Sequence, residues 1–449
     1  MSFVPHTESD IKAMLEVIGV DSIQSLFAEI PADVRFQREL NIPEALSELE
    51  VTQLMRERAK LDAGFQCYIG AGAYEHYIPA AVWELVGRGE FYTAYTPYQA
   101  EASQGGLQLI YEYQTMMASL TGLDASNASL YDGANAVVEA ILMAVRANKK
   151  VKADEVLVLG SLHPYYKDTV ETVASCQGIQ LREVPFDVET GCVSKRALEK
   201  CSPAKALVIQ QPNFFGCLEE VDALTDWAHD NDMLVVAVVN PTTLAVLKEP
   251  GAWGSVGVDI ACGEGQPLGA PLASGGPYFG FLTCKMDLVR QMPGRIVGRT
   301  VDQEGKEGFC LTLQAREQHI RRAKAKSNIC TNQGLLVTAA AIYLSLMGPE
   351  GLRRVALNAH KNMQTLSERL QALSGVSFAF DTPYMYERVL RLNKPVVEVL
   401  SHCREHKILA GYDLSLHYPE LGNCILVCTT ETKTEADLNH YVSVLKEAL

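Results

Sequence analysis

Residues 233–240 read MLVVAVVN, and the pattern of that stretch decides the fold. Apolar side chains occupy consecutive positions instead of alternate ones. A strand built this way has to be buried on both faces, as strands of parallel sheets are. Three further runs share the pattern: EVLVLG (155–160) and ALVIQ (206–210) upstream, and YFGFLTC (278–284) downstream. Helix-length segments separate them, which implies an α/β domain with a mostly parallel sheet. Towards the N-terminus, Leu109, Ile110, Tyr113, Met116, Met117 and Leu120 recur at helical spacing. A second helix carries Val138, Ile141, Leu142 and Val145 after a turn containing Gly133.

Further outward the texture changes at both ends. The first 65 residues read as short helices and loops with little strand pattern, an arm to be laid across a larger body or a neighbour. Beyond Thr331 a helical pattern (Leu335 to Leu346) stops at Gly348-Pro349. A second helix follows, with Leu352, Val355, Ala359, Met363, Leu366 and Leu370 on one face. Strand-like VSFAF, RVLRL and CILVCT then alternate with helices, and the last helix starts at a capping box of Thr434 and Asp437. The expected organisation is an arm (1–65), a large α/β domain (66–330) and a small α+β domain (331–449).

Bulk properties narrow the function classes. A chain of 449 residues exceeds one ordinary core. Its 48% hydrophobic content describes a soluble globular protein. A net charge of −15 argues against nucleic acid and anionic membrane as partners, because both need clustered positive charge. The opening MSFVPHTESD has no basic start or apolar core of a secretory signal, and no uninterrupted apolar run approaches the ~20 residues of a membrane span. A cytoplasmic location is expected. The twelve cysteines are scattered without a C-x-x-C pair, which suits reduced thiols better than a metal or a disulfide framework.

Generic catalytic motifs are missing. Gly70-Ala71-Gly72-Ala73 lies in no strand–GxGxxG–helix unit, and there is no Walker lysine motif, HExxH or G-x-S-x-G. Three features remain open. Gly133 and Ala134, at a helix start, could hold a phosphate on exposed N–H groups or form an ordinary turn. The basic run Arg316, His319, Arg321, Arg322, Lys324, Lys326 could be an anion site, a docking face or a solvated helix surface. The aromatic cluster Phe91, Tyr92, Tyr95, Tyr98 is a costly surface unless something covers it, with core packing the alternative.

Several segments together resemble one family. PHT near residue 5, ML-x-x-IGV at 14–20, FQCYIGAGAYEHYIP, EFYTAYTPYQAEASQGGLQ, SLYDGANAVVEA and QAREQHIRRAKAKSNICTNQ are similar to the P-protein of the glycine cleavage system. The similarity is to its N-terminal half, in many bacteria a separate polypeptide, subunit 1 of glycine dehydrogenase (decarboxylating). It runs from the first ten residues into the C-terminal domain. It implies the pyridoxal-phosphate-dependent transferase fold of the aspartate aminotransferase type. It also implies an enzyme that acts only with its subunit 2, as an α2β2 heterotetramer. The complex would decarboxylate glycine with pyridoxal phosphate and pass the aminomethyl group to the lipoyl arm of the H-protein. The cofactor-bearing lysine would belong to subunit 2.

The residues agree with that division. By analogy with the cofactor-bearing half, counting back from Gly275-Gly276-Pro277 puts Gln266 at the lysine position, and an amide cannot form an imine. Asn240 ends the strand where the fold usually places the aspartate that keeps the pyridine nitrogen protonated; a neutral amide offers no such charge. Lys248, Lys285, Lys324 and Lys326 are poor substitutes by position, which disfavours an autonomous pyridoxal enzyme. Gln266, Asn240, Gly133 and Ala134 thus outline a vestigial cofactor pocket. Tyr95, Thr96, Tyr98 and Gln99 are expected to reach a partner's active site, since sites of this fold lie at dimer interfaces. The competing expectation is a purely structural partner that stabilises subunit 2 or positions the H-protein.

Overall fold

The computed structural model describes residues 6–36, 38–273 and 276–449. Pro5 of the PHT motif and Gly275, from which Gln266 is counted, lie outside the described residues. By its contacts the chain divides into two units, Met1–Ala63 and Gly64–Leu449.

The N-terminal unit holds two α-helices, Glu8–Ile18 and Glu48–Asp62, joined through a 3-10 turn at Ile23–Phe27. Each α-helix starts on a capping box, Thr7 with Asp10 and Ser47 with Glu50, so local chemistry alone sets where it begins. No residue in either helix is buried.

The second unit is built on a seven-stranded sheet. Its strands in chain order are β1 (Ala125–Ser126), β2 (Glu155–Leu159), β3 (Gln180–Val184), β4 (Ala206–Gln211), β5 (Leu234–Val239), β6 (Ile260–Glu264) and β7 (Gly280–Cys284). They lie side by side as β1-β7-β6-β5-β4-β2-β3. From β6 across to β3 all pairings are parallel. The YFGFLTC strand, β7, differs from the expectation of a parallel neighbour: it runs antiparallel to β6. Its connection from β6 is rich in Gly and Pro and, among the described residues, contains no helix to carry a parallel crossover.

The central strand explains its own composition. Val236 and Val238 face a core shared with the helix α2 (Gly133–Ala147), where Val137 and Ile141 pack on them. Val235, Ala237 and Val239 face the opposite core, with Trp253, Phe279 and Tyr343. Consecutive apolar residues are needed because both faces are covered. The amphipathic segment upstream is helix α1 (Gln104–Thr121), with Leu107, Tyr113 and Met117 buried.

Helix α3 (Gly334–Gln371) links this sheet to the C-terminal part. By length and composition alone it is long and apolar enough to cross a membrane. Its apolar residues Leu336, Val337, Ala339 and Tyr343 are instead buried in the core, and Gly348 at φ 61° breaks it in two where Gly348-Pro349 signalled a stop. Beyond it a four-stranded antiparallel sheet pairs Val376–Phe378, Glu387–Leu392, Cys424–Cys428 and Tyr412–Asp413 in that order.

Candidate functional site

The chain passes from β2 out to the edge strand β3 and then back across to β4. The carboxyl ends of β2 and β4 therefore diverge at a switch point, where open α/β sheets bind ligands. The cleft at these ends is lined by His163 after β2, Gln210 and Pro212 at β4, Asn240 after β5 and Glu264 at the end of β6. The small sheet contributes Tyr386 and Glu387. The cavity left among them is only about 40 Å3, room for roughly one water against the 300 Å3 or more of an ordinary ligand pocket.

Protein groups fill the rest. Gln266 is 1% exposed. Its Oε1 accepts from the Tyr74 N–H at 2.8 Å, while its Nε2 donates to the carbonyls of Tyr74 at 2.9 Å and Ala270 at 2.8 Å. The amide thus binds both backbone groups of Tyr74, as a strand neighbour would. Asn240 is equally engaged: its Nδ2 donates to the Tyr386 hydroxyl and its Oδ1 accepts from Thr242 N at 3.0 Å.

The helix start carries the least expected substitution. The first N–H of α2, at Gly133, donates to Glu264 Oε2 at 2.9 Å, and the other carboxylate oxygen accepts from Gln266 N at 2.9 Å. A glutamate side chain occupies the positive end of the helix, the place where a phosphate would sit. Burial pushes its pKa up to about 7, against the opposing pull of the Gly133 and Gln266 N–H bonds. Ala134 follows, half-buried, on the first turn.

A strap completes the seal. Gly70, Ala71 and Gly72 have φ of 61°, 54° and 100°, a left-handed run that glycine makes accessible. Ala71 N donates to Glu387 Oε1 at 2.8 Å, Tyr74 Oη to Glu387 Oε2 at 2.9 Å, and the Ala71 carbonyl meets His163 Nε2 at 2.8 Å. Burial raises Glu387 to about 7 and lowers His163 to about 4. Sequence reasoning used this G-A-G-A stretch as part of a family-like segment but assigned it no place in the site.

The aromatic loop lines a different cavity, of about 660 Å3, together with Arg295 and the segment Thr331–Gly334. Tyr95, 75% exposed, shares a 2.9 Å hydrogen bond with Thr331, and Thr96 and Pro97 form part of the wall. Tyr98 accepts a 3.2 Å hydrogen bond from the buried Arg295, whose guanidinium stands 5.5 Å from the Tyr98 ring. Gln99 is exposed and is not among the wall residues. Arg295 escaped the sequence reading. Its Nε is buried with no hydrogen-bond partner and has only Glu317 at 3.8 Å, so the cavity contains an incompletely satisfied cation. The loop and the Gln266 cleft share no lining residue.

A model of the glycine cleavage system P-protein matches residues 1–445. The chain belongs to that family. It is 59% identical to the probable glycine dehydrogenase (decarboxylating) subunit 1 of Nitrosomonas europaea, over all of this chain and 99% of that one. A Coxiella burnetii protein of the same description is also 59% identical, over 99% of both chains. Among solved structures, the glycine decarboxylase (P-protein) of the glycine cleavage system in inhibitor-bound form superposes with a TM-score of 0.90 at 41% identity, over the whole of both chains. A sphingosine-1-phosphate lyase from Burkholderia pseudomallei (TM-score 0.66, 15% identity) and a C-DES mutant with glycine covalently linked to its PLP cofactor (0.62, 15%) share the fold alone. The fold is that of the pyridoxal-phosphate-dependent enzymes, as the resemblance implied. The cleft residues, however, do not fit that cofactor: the amide of Gln266 cannot form an imine, the Glu264 carboxyl group already takes the first N–H of α2, and the space left is about that of one water.

Proposed function

We propose that this chain is the cofactor-free subunit of a two-subunit glycine decarboxylase. Together with a subunit 2 that holds pyridoxal phosphate, it decarboxylates glycine and transfers the aminomethyl group to the lipoyl arm of an H-protein, in the cytoplasm and as a heterotetramer. The observation that carries this reading is the pairing of a self-filled cleft with an open, incompletely satisfied cavity. Glu264, Gln266 and the Gly70–Tyr74 strap occupy the chain's own cofactor position, while Tyr95, Thr96 and Arg295 line a cavity large enough for a small ligand.

In the assembled enzyme, pyridoxal phosphate held by subunit 2 would supply the electron sink for decarboxylation. The residues of this chain would act around it. Tyr95, held by Thr331, and Thr96 close over the neighbouring site and exclude water. Arg295, braced against Tyr98, supplies a buried positive charge suited to an anionic group.

The test is to purify the chain and subunit 2 separately and together, and to assay glycine-dependent CO2 exchange. Activity confined to the mixture is expected, and a borohydride-reducible imine on this chain alone would overturn the reading. A purely structural role, the competing reading, predicts that variants of Tyr95 and Gln99 leave turnover unchanged.

A further inference from the structure

The basic run singled out in the sequence is not used by the site described above. In the structure five of its six residues lie on three short turns, Gln314–Arg316, Gln318–Arg321 and Arg322–Lys324, and Lys326 follows the last of them. Arg321, Lys324 and Lys326 join Arg290 from a separate turn, Met286–Gln291, around a concavity of about 300 Å3. All four are exposed. Beneath them Arg316 is buried, its guanidinium spent on the carbonyls of Met292, Gly294 and Leu313.

Among the described residues, none of these five cations forms an ion pair. Of the nearby carboxylates, Glu317 is 7% exposed and faces Arg295 and His319, and Glu139 is buried. Two exposed acids stand beside the patch: Asp287 on the turn of Arg290, and Asp124, which accepts from the Met286 N–H of that turn at 2.8 Å. On a chain of net charge −15, such a segregated positive face is an electrostatic contrast that steers an acidic surface.

The patch is also joined to the open cavity. His319, on the turn between the patch and Glu317, stacks edge-on against Tyr98 at 5.4 Å. Arg316 grips the Met292 and Gly294 carbonyls immediately before Arg295, which lines the cavity. A protein seated on the four cations would therefore have its edge at the cavity mouth.

Resting on the function proposed above, we propose that Arg290, Arg321, Lys324 and Lys326 form the docking face for the aminomethyl-accepting carrier, and that the carrier presents an acidic surface to it. A carrier binds and leaves in every cycle. Exposed lysines and arginines around a wet concavity suit such a salt-sensitive encounter, whereas a permanent subunit interface has an apolar, charge-depleted centre. Permanent pairing with subunit 2 is thus the less fitting use of this face.

The test uses the full complex with subunit 2, carrying R321E, K324E and K326E together, and a milder set of glutamine replacements at the same positions. Expected is a rise of at least tenfold in KM for the lipoylated H-protein, with loss of its salt dependence. Turnover with free lipoamide as acceptor and KM for glycine should be unchanged. An unchanged KM and salt dependence for the H-protein would overturn the docking face. So would loss of assembly with subunit 2, which would make the patch a subunit interface. Absence of activity in the wild-type mixture would instead refute the proposed function, so the two failures are distinguishable.

Discussion

Replacing Gln266 with lysine returns the missing amine and should still fail to make a cofactor site. The Gln266 amide serves three partners, the N–H and carbonyl of Tyr74 and the carbonyl of Ala270. A charged lysine leaves the Tyr74 N–H buried and without an acceptor, at about 1–3 kcal/mol, and adds the cost of an ammonium in a fully buried place. Entering neutral avoids the second cost but requires deprotonation at pH 7, about 4–5 kcal/mol below a pKa near 10.4. The neutral route therefore costs roughly 5–8 kcal/mol, a fall in melting temperature of roughly 6–10 °C at about 2.1 cal/mol/K per residue over Gly64–Leu449. Glu264 meanwhile still holds the Gly133 N–H, so no phosphate can anchor the cofactor. The assays are calorimetric melting of Q266K and its absorbance with pyridoxal phosphate before and after borohydride. A stable variant that forms a reducible imine at stoichiometric cofactor would refute the plugged-cleft reasoning.

Tyr95→Phe removes the hydroxyl that meets Thr331 on an exposed loop. It should lower turnover of the assembled complex roughly tenfold or more while changing stability by less than about 0.5 kcal/mol; Gln99→Ala should also lower turnover with assembly intact. Steady-state rates beside melting curves decide both. Glu264 and Glu387 are raised to about 7 by burial. The folded chain therefore keeps protons that the unfolded chain releases from about pH 4.3 upward, and stability falls as pH rises through that window towards 7. His163, lowered to about 4, contributes the opposite slope below about pH 6.5, so the comparison is between variant and wild type. Glu387→Gln should gain on the wild type by up to about 3 kcal/mol between pH 5 and 8; parallel urea midpoints across that range would contradict it. Gly133→Ala would set a Cβ 2.8 Å from Glu264 Cβ and should cost about 1–3 kcal/mol by overpacking, read as a lower melting temperature.

The sequence made the framework readable where burial imposes a pattern on neighbouring residues. MLVVAVVN is the two-faced central strand because both its faces meet cores, and Gly348-Pro349 breaks α3 because no helix accommodates that φ. The direction of β7 was hidden because its neighbour β6, IACGE, is short of β-branched residues and went unread. With β6 in place, a short Gly- and Pro-rich link between them favours an antiparallel return. Gln266 and Asn240 could be singled out by what they cannot do. Glu264 could not, although it stands two positions from Gln266. Its role depends on the fold bringing the start of α2 against the end of β6, and no local pattern encodes that meeting. Arg295 is similar: an arginine near an apolar strand gives no sign that its Nε ends up without a hydrogen-bond partner.

The glutamate at the start of α2 also changes how this chain answers to cofactor supply. An enzyme that binds a ligand only when folded gains stability as the logarithm of the ligand concentration and softens when the ligand is scarce. Here the carboxyl group that completes the cleft is tethered to the backbone. Its local concentration cannot be diluted, and nothing has to be taken from solution to finish the fold. Melting of this chain alone should then be indifferent to pyridoxal phosphate. The subunit would neither compete with its partner for a limited supply nor lose its shape when that supply runs out.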